Sequence, residues 1–326
     1  MRKVQILGMG KYLPPTIVTA EETDAVLGVS KGWSRKKSGV QTRYFARGET
    51  ASEMAAKAIF NALEKASLAL DEVGAIVSVS GTMEQAIPCN AALIHEQLKP
   101  RRPIPAFDLN ATCLSFVTGM DVVSHLIHNG AYRNVLLVSS EIASVGINPK
   151  QKESYPLFGD GAVACILSLA NESDQGVVAS HMETYSEGAR YTEIRGGGTR
   201  LHPNVHKKEE DFLFDMRGKE VFRLSSKVID GFVSELLEKA SLRMEELTLV
   251  VPHQASGMAM RIMRKKLGVK EEQFMNVIEK YGNMIAASIP LALHDAIEEE
   301  RIQRGDAVLL LGTSAGLSVG GVLLVY

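Results

Sequence analysis

The chain has 326 residues, 45% hydrophobic and 23% charged, with a formal net charge of −2 and a pI of about 6.5. That length and composition imply a sizeable buried core in two domains or one large duplicated unit, and the charge balance excludes a general attraction to nucleic acid. Three cysteines, Cys89, Cys113 and Cys165, have no C-x-x-C spacing and no even count, so no disulfide framework is expected, and a reducing, cytoplasmic compartment is.

Taken in chain order, Met1-Arg2-Lys3 precedes a short apolar run, Val4 to Gly8. It is too short for a signal peptide and reads as a first strand. No later apolar run is long enough for membrane insertion as a helix. Trp33, the only tryptophan, lies among Lys31, Arg35, Lys36 and Lys37. A flat ring beside cations suits an adenine and its phosphates, and equally a half-buried ring in a surface charge run. Phe107-Asp108-Leu109 is strand-like. From Cys113 to Asn129, Leu114, Val117, Met120, Val123, Leu126 and Ile127 recur at helical spacing, and Gly130 is a natural stop. A cysteine at a helix start gains from the helix's partial positive charge, which favours thiolate. His125 and His128 lie three apart without acidic ligands nearby, so no metal site is expected. Arg195 through Asp211 is polar and glycine-rich, a surface excursion lacking the ending of a phosphate loop.

The chain then repeats itself. Leu63-Glu64-Lys65-Ala66-Ser67-Leu68 recurs as Leu237-Glu238-Lys239-Ala240-Ser241-Leu242, and the strands Ala75-Ile76-Val77 and Leu249-Val250-Val251 follow at the same shift of 174. Val135 to Val138 matches Val308 to Leu311 at a shift of 173. Two α/β halves are implied, residues 1–172 and 173–326, the first carrying Cys113. At a shift of 174, Asn110 falls on Met284 and Val79 on His253. His253 then ends an inner strand, and the helix expected from Met284 to Ile302 takes the place of the Cys113 helix. Cys113, His253 and Asn283 are thereby expected near one pseudo-twofold axis, a set suited to chemistry on acyl groups.

The ordered segments Gly8-Met9-Gly10, Ser38-Gly39-Val40, Cys113, Phe158-Gly159-Asp160-Gly161-Ala162, Pro252-His253-Gln254-Ala255 and Gly282-Asn283 resemble the β-ketoacyl-acyl carrier protein synthase III family of the thiolase superfamily. The resemblance covers almost the whole chain. It implies a thiolase-like α/β fold, duplicated halves in five layers αβαβα, usually a homodimer, and an acyltransferase that uses no cofactor beyond coenzyme A thioesters as substrates. In that reading Cys113 takes an acyl group from acyl-CoA. His253 and Asn283 then serve a malonyl thioester, delivered by acyl carrier protein, which loses CO2 and attacks the acyl-enzyme. Asn283 also reads as a plain helix cap.

The Cys113 and Ala315 N–H groups are the candidate oxyanion hole. Trp33, Lys37, Lys152 and Arg223 are candidate coenzyme A contacts, and Ile87 matches a family position that reaches the partner subunit's acyl pocket. Arg261, Arg264 and Lys265, with Lys266, form a candidate carrier-docking face. Alternatives on the same scaffold are acyl transfer to an alcohol or amine, a head-to-head condensation without decarboxylation, for which Glu84 is the candidate base, and a non-enzymatic scaffold.

Overall fold

The computed structural model describes residues 1–171 and 174–326, so both residues flanking the expected boundary between halves, 172 and 173, lie outside the described residues. The strands are β1 (Val4–Tyr12), β2 (Thr16–Thr19), β3 (Thr42–Phe45), β4 (Ala75–Ser78), β5 (Ala106–Asp108), β6 (Asn134–Glu141), β7 (Gly161–Leu169), β8 (Gly176–Thr184), β9 (Thr192–Glu193), β10 (Asp215–Met216), β11 (Leu249–Pro252), β12 (Ala307–Ser314) and β13 (Ser318–Val325). The helices are α1 (Ala20–Leu27), α2 (Trp33–Ser38), α3 (Ala51–Ala66), α4 (Asn90–Leu98), α5 (Ser115–His128), α6 (Gly218–Ala240), α7 (Gly257–Lys266), α8 (Ile278–Tyr281) and α9 (Ser288–Glu298).

Two sheets organise these elements, one in the order β1-β7-β6-β4-β5 and the other β11-β12-β13-β8. Their inner strands are apolar at nearly every position, as burial on both faces requires. Val135 and Leu137 of β6 face a central core, while Leu136 and Val138 face α3 and α4. In β12, Val308 and Leu310 face the same central core, and Leu309 and Leu311 face α6 and α7. Helices α5 and α9 fill the middle, so the layers run helices, sheet, helices, sheet, helices. Among the described residues no helix is long and apolar enough to cross a membrane.

The repeated hexapeptides make the same local structure. Ser67 and Ser241 each end a helix in the left-handed conformation, with φ of 50° and 54°. The N–H groups of Leu68 and Leu242 then return to the carbonyls of Leu63 and Leu237, at 3.0 and 3.1 Å. These are paired C-terminal caps of the Schellman kind. Helix α3 crosses β1 so closely that a Cβ on Gly10 would overlap the backbone of Ala58 and Ala62.

Two glycines of contrasting surroundings test this packing. Gly10→Ala should destabilise the fold by ~1–3 kcal/mol, because neither backbone can yield without separating helix from sheet. Gly231→Ala, within α6 with open space around its Cα, should stabilise it by about 0.5–1 kcal/mol. Urea-unfolding midpoints moving in opposite directions would support the packing; equal midpoints would count against it.

Candidate active site

The helix expected to begin at Cys113 is divided. Thr112–Leu114 forms a 3-10 turn, and α5 begins only at Ser115. The second expected helix is divided likewise, into a turn at Ile285–Ala287 and then α9. The two turns are built alike. The N–H of Thr112 donates to Asn110 Oδ1 at 2.8 Å, and that of Ala111 to Ser115 Oγ at 2.9 Å. The N–H of Ile285 donates to Asn283 Oδ1 at 2.8 Å, and that of Met284 to Ser288 Oγ at 2.9 Å. Thr112 and Ile285 both take positive φ, 52° and 48°. The shift between these turns is therefore 173, correcting the 174 expected here. Asn283 corresponds to Asn110, not to the residue before Met284's assigned match, and Ala286 corresponds to Cys113. The sequence reading took the strand shift across a one-residue length difference between strand and turn.

Asn283 is buried and held from behind. Its N–H donates to Leu157 O at 2.7 Å, and its carbonyl accepts from Gly159 N at 3.1 Å. Gly282 has φ of 70°, and a Cβ there would come 2.5 Å from Leu157 O. The Phe158 to Ala162 motif thus serves as the cradle for this turn. With Oδ1 committed to Ile285, the Asn283 side chain does cap the turn, and its Nδ2 is left to donate elsewhere.

His253 follows β11, and its own N–H donates to Leu311 O at 2.8 Å. Gly312 of β12 brings the elements together. A Cβ there would lie 2.9 Å from His253 Cβ, 3.1 Å from Leu114 Cδ2 and 3.3 Å from Ile289 Cδ1. The Cys113 turn also packs directly on the Ile285–Ala287 turn. Burial pushes the His253 imidazole down to about 4, so it is neutral at physiological pH. Its Nδ1 is buried without a partner. A bare lone pair is tolerated better in the interior than a bare N–H, which favours the tautomer with the proton on Nε2.

The backbone N–H groups of Ala315 and of Cys113 itself lie by the Cys113 sulfur and act to lower its thiol. Burial, together with the negative charge of Glu141, nevertheless pushes its thiol up to about 12. The expectation of a resting thiolate is thereby corrected: desolvation outweighs the two donors and the helix start.

Glu141, at the end of β6, was missed by the sequence reading. It is fully buried, and it accepts from Gly81 N at 2.6 Å, Thr82 N at 3.0 Å and Thr82 Oγ1 at 2.5 Å, with the N–H of Ala286 on its other side. The available signal was an acid closing an otherwise apolar strand, a residue type rarely buried without purpose. Glu84, the candidate base, is turned elsewhere: it accepts from Ser52 N at 2.7 Å at the start of α3.

The remaining candidates lie at the surface. Lys37 Nζ sits 5.8 Å from the centre of the Trp33 ring. A cleft of about 500 Å³ between α2 and α7 is lined by Gly32, Arg35, Lys36, Gly39, Arg261 and Glu279. Trp33's helix and Arg261, assigned separately from sequence to coenzyme A and to carrier docking, thus flank one cleft. Arg264 is turned to Glu271 at 3.5 Å, and Lys266 to Asp230 at 3.0 Å; Lys265 is exposed. Lys152 and Arg223 are also exposed, and neither forms an ion pair among the described residues. Ile87 is 86% exposed, on the loop before α4. One group with metal-like geometry lies away from this site: His181 Nε2 is 3.0 Å from Glu183 and 3.3 Å from Glu235, with Lys239 Nζ 2.8 Å from His181 Nδ1. The lysine already supplies the positive charge there.

The state of His253 is measurable. Because its folded value lies below the unfolded one, the neutral imidazole gives stability that is present above about pH 6.5 and lost as pH falls towards 4. In a histidine-labelled sample, the NMR signal absent from His253→Ala should stay at its neutral position from pH 8 to pH 5.5. A midpoint near 6.5 for that signal would contradict the burial described.

Comparison with known proteins is consistent with this geometry. The family model "3-Oxoacyl-[acyl-carrier-protein (ACP)] synthase III" matches residues 107–186, and its C-terminal counterpart matches residues 237–326. The chain is 33% identical over 322 residues to beta-ketoacyl-[acyl-carrier-protein] synthase III of Aquifex aeolicus, covering 99% of each. It is 30% identical over 326 residues to the Clostridium perfringens protein of the same name, again covering 99% of each. The crystal structure of the synthase III from Aquifex aeolicus superposes with a TM-score of 0.89 at 31% identity, covering 99% of this chain and 100% of that one. The priming β-ketosynthase of the R1128 polyketide pathway superposes with a TM-score of 0.90 at 27% identity, covering 99% and 96%. The chain belongs to the 3-oxoacyl-[acyl-carrier-protein] synthase III family.

Proposed function

We propose that the protein condenses an acyl thioester with a malonyl thioester, using Cys113 as nucleophile and His253 and Asn283 as donors to the second substrate. The observation that carries this reading is the convergence of the Cys113 turn, the Asn283 turn and His253 about Gly312, with the Cys113 and Ala315 N–H groups beside the Cys113 sulfur. An acyl group on that sulfur would hold its carbonyl oxygen within reach of the same donors, which serve as the oxyanion hole.

In the first step Cys113 S–H and acyl-S-CoA give acyl-S-Cys113 and HS-CoA; the thiol proton ends on the leaving sulfur. In the second, the malonyl thioester loses CO2, and negative charge moves to its carbonyl oxygen. A neutral His253 donating from Nε2 and Asn283 donating from Nδ2 stabilise that charge without a cofactor. The enolate carbon then attacks the acyl carbon, the acyl C–S bond breaks, and Cys113 leaves as a thiolate that takes a proton from solvent to restore the thiol. Both oxygens of Glu141 are engaged by donors, so it does not supply the free base that a head-to-head condensation needs.

The α2–α7 cleft, with Arg35, Lys36 and Arg261 on its walls and Trp33 and Lys37 beside it, suits the phosphates and adenine of coenzyme A and the arm of an acidic carrier protein. Lys265, Lys152 and Arg223 are exposed for such contacts, whereas Arg264 is already paired. Two copies of the chain are proposed to associate through the edge beside β5, where Met83 and Ile87 are exposed at 66% and 86%.

Cys113→Ala should give no acyl adduct by intact-protein mass spectrometry, where the wild type gives one. His253→Ala and Asn283→Ala should still load the acyl group but slow CO2 release and condensation by ~100-fold or more. An adduct of equal yield on Cys113→Ala, or normal CO2 release by the other two variants, would overturn these roles. Ile87→Phe should shift acyl-chain preference, since a pocket wall that gains volume discriminates by roughly 1–3 kcal/mol per methylene. Sedimentation of the wild type should show a dimer; a fully active monomer would remove the basis for this effect.

A further inference from the structure

The turn at residues 81–82 is wedged between the two turns of the site. A Cβ on Gly81 would lie 2.6 Å from Ile285 Cγ2 and 3.3 Å from the Thr112 carbonyl. Ser115 Oγ donates to Ser80 O at 3.2 Å, and Ser80 Oγ accepts from Ser140 N at 3.0 Å. Behind this wedge stands Glu141, receiving the N–H groups of Gly81 and Thr82, and its strand β6 packs directly on the 285–287 turn. Ala286 occupies, in its own turn, the place that Cys113 occupies in the other.

We infer that Glu141 is a positioning residue for acyl transfer: its carboxylate holds the 81–82 turn in place between the Thr112 and Ile285 turns, and sets a negative charge behind Cys113. This rests on the reading of Cys113 as the nucleophile.

The charge is what distinguishes this residue from a simple brace. Among the described residues no Lys, Arg or His forms an ion pair with Glu141, and a buried carboxylate without a cation is costly. Its donors stabilise the anion, while burial pushes the group up to about 7. The elements around it supply one ionisable neighbour that feels this charge, Cys113. β4, the 80–82 turn and the 285–287 turn carry none. From β7, Gly161 is the paired residue, Cys165 pairs with Leu137, and neighbouring Asp160 is tied to Ser144 and Ala46. From α3, Glu53 caps its own helix and Lys57 pairs with Glu49. On α5, Asp121 pairs with Arg2, and His125 and His128 lie in the helix's last turn. An ionised Glu141 therefore adds to the burial that keeps Cys113 a thiol.

The test measures the alkylation rate of Cys113 by iodoacetamide against pH, with the adduct located by peptide mass spectrometry. In the wild type the logarithm of the rate should rise with a shallow segment near pH 7, where Glu141 ionises and restrains the thiol. Glu141→Gln should lose that segment and react at least ~10-fold faster at pH 8, since one unit in a thiol's pKa is tenfold in thiolate. Thr82→Val, which removes one donor from the anion, should shift the profile in the same direction by less, and it decides the matter if Glu141→Gln does not fold. Profiles of both variants coinciding with the wild type would overturn the inference. Failure of the nucleophile assignment is seen separately, as an acyl adduct missing from Cys113 in the wild type, because alkylation does not depend on acyl loading.

Discussion

Helices α5 and α9 lie between two sheets, and a helix covered on both faces cannot leave its first N–H groups to water. Each is entered through a short 3-10 turn whose own N–H groups are satisfied from within. An asparagine oxygen takes the N–H two residues on, and a serine at the helix start takes the N–H four residues before it. This requirement fixes Asn283 in place and sets Cys113 on a rigid turn rather than on the helix itself. The site is thus a by-product of how two buried helices begin, refined by what β6, β11 and β12 bring to the same place.

Burial then governs the chemistry of the groups so placed. It raises the Cys113 thiol and the Glu141 carboxyl and lowers the His253 imidazole, so that each leans towards its uncharged form. A site of this kind responds to charge that appears during reaction, because fixed dipoles act there without competing water. The donors proposed for that charge are backbone N–H groups at Cys113 and Ala315 and side chains at His253 and Asn283. None of these needs to change protonation to accept a developing oxyanion.

The outer surface follows different rules. Arg35, Lys36 and Arg261 border an open cleft, where Arg35 already pairs with Glu279, and ion pairs at such a surface are individually weak. Some of the basic residues are already paired within the chain, as Arg264 is with Glu271 and Lys266 with Asp230. A cluster of positive charge in sequence is thus an upper limit on what remains for a partner.

The repeated hexapeptides, the apolar strands of β4, β6, β11 and β12, and the meeting of the Cys113, His253 and Asn283 segments were legible from the chain alone, because local patterns and the repeat determine them. The family's motifs likewise carried the layered fold. The tertiary structure alone decided the rest. It moved Asn283 into register with Asn110, since turn and strand differ in length by one residue between the copies. It set the thiol's ionisation through desolvation, a property of all the atoms around a group and not of its place at a helix start. It turned Glu84 to a helix cap and brought Glu141, 28 residues from Cys113 in sequence, behind that cysteine. Which acid is buried, and what it faces, depends on how two sheets and two helices close over it, and no local spacing encodes that closure.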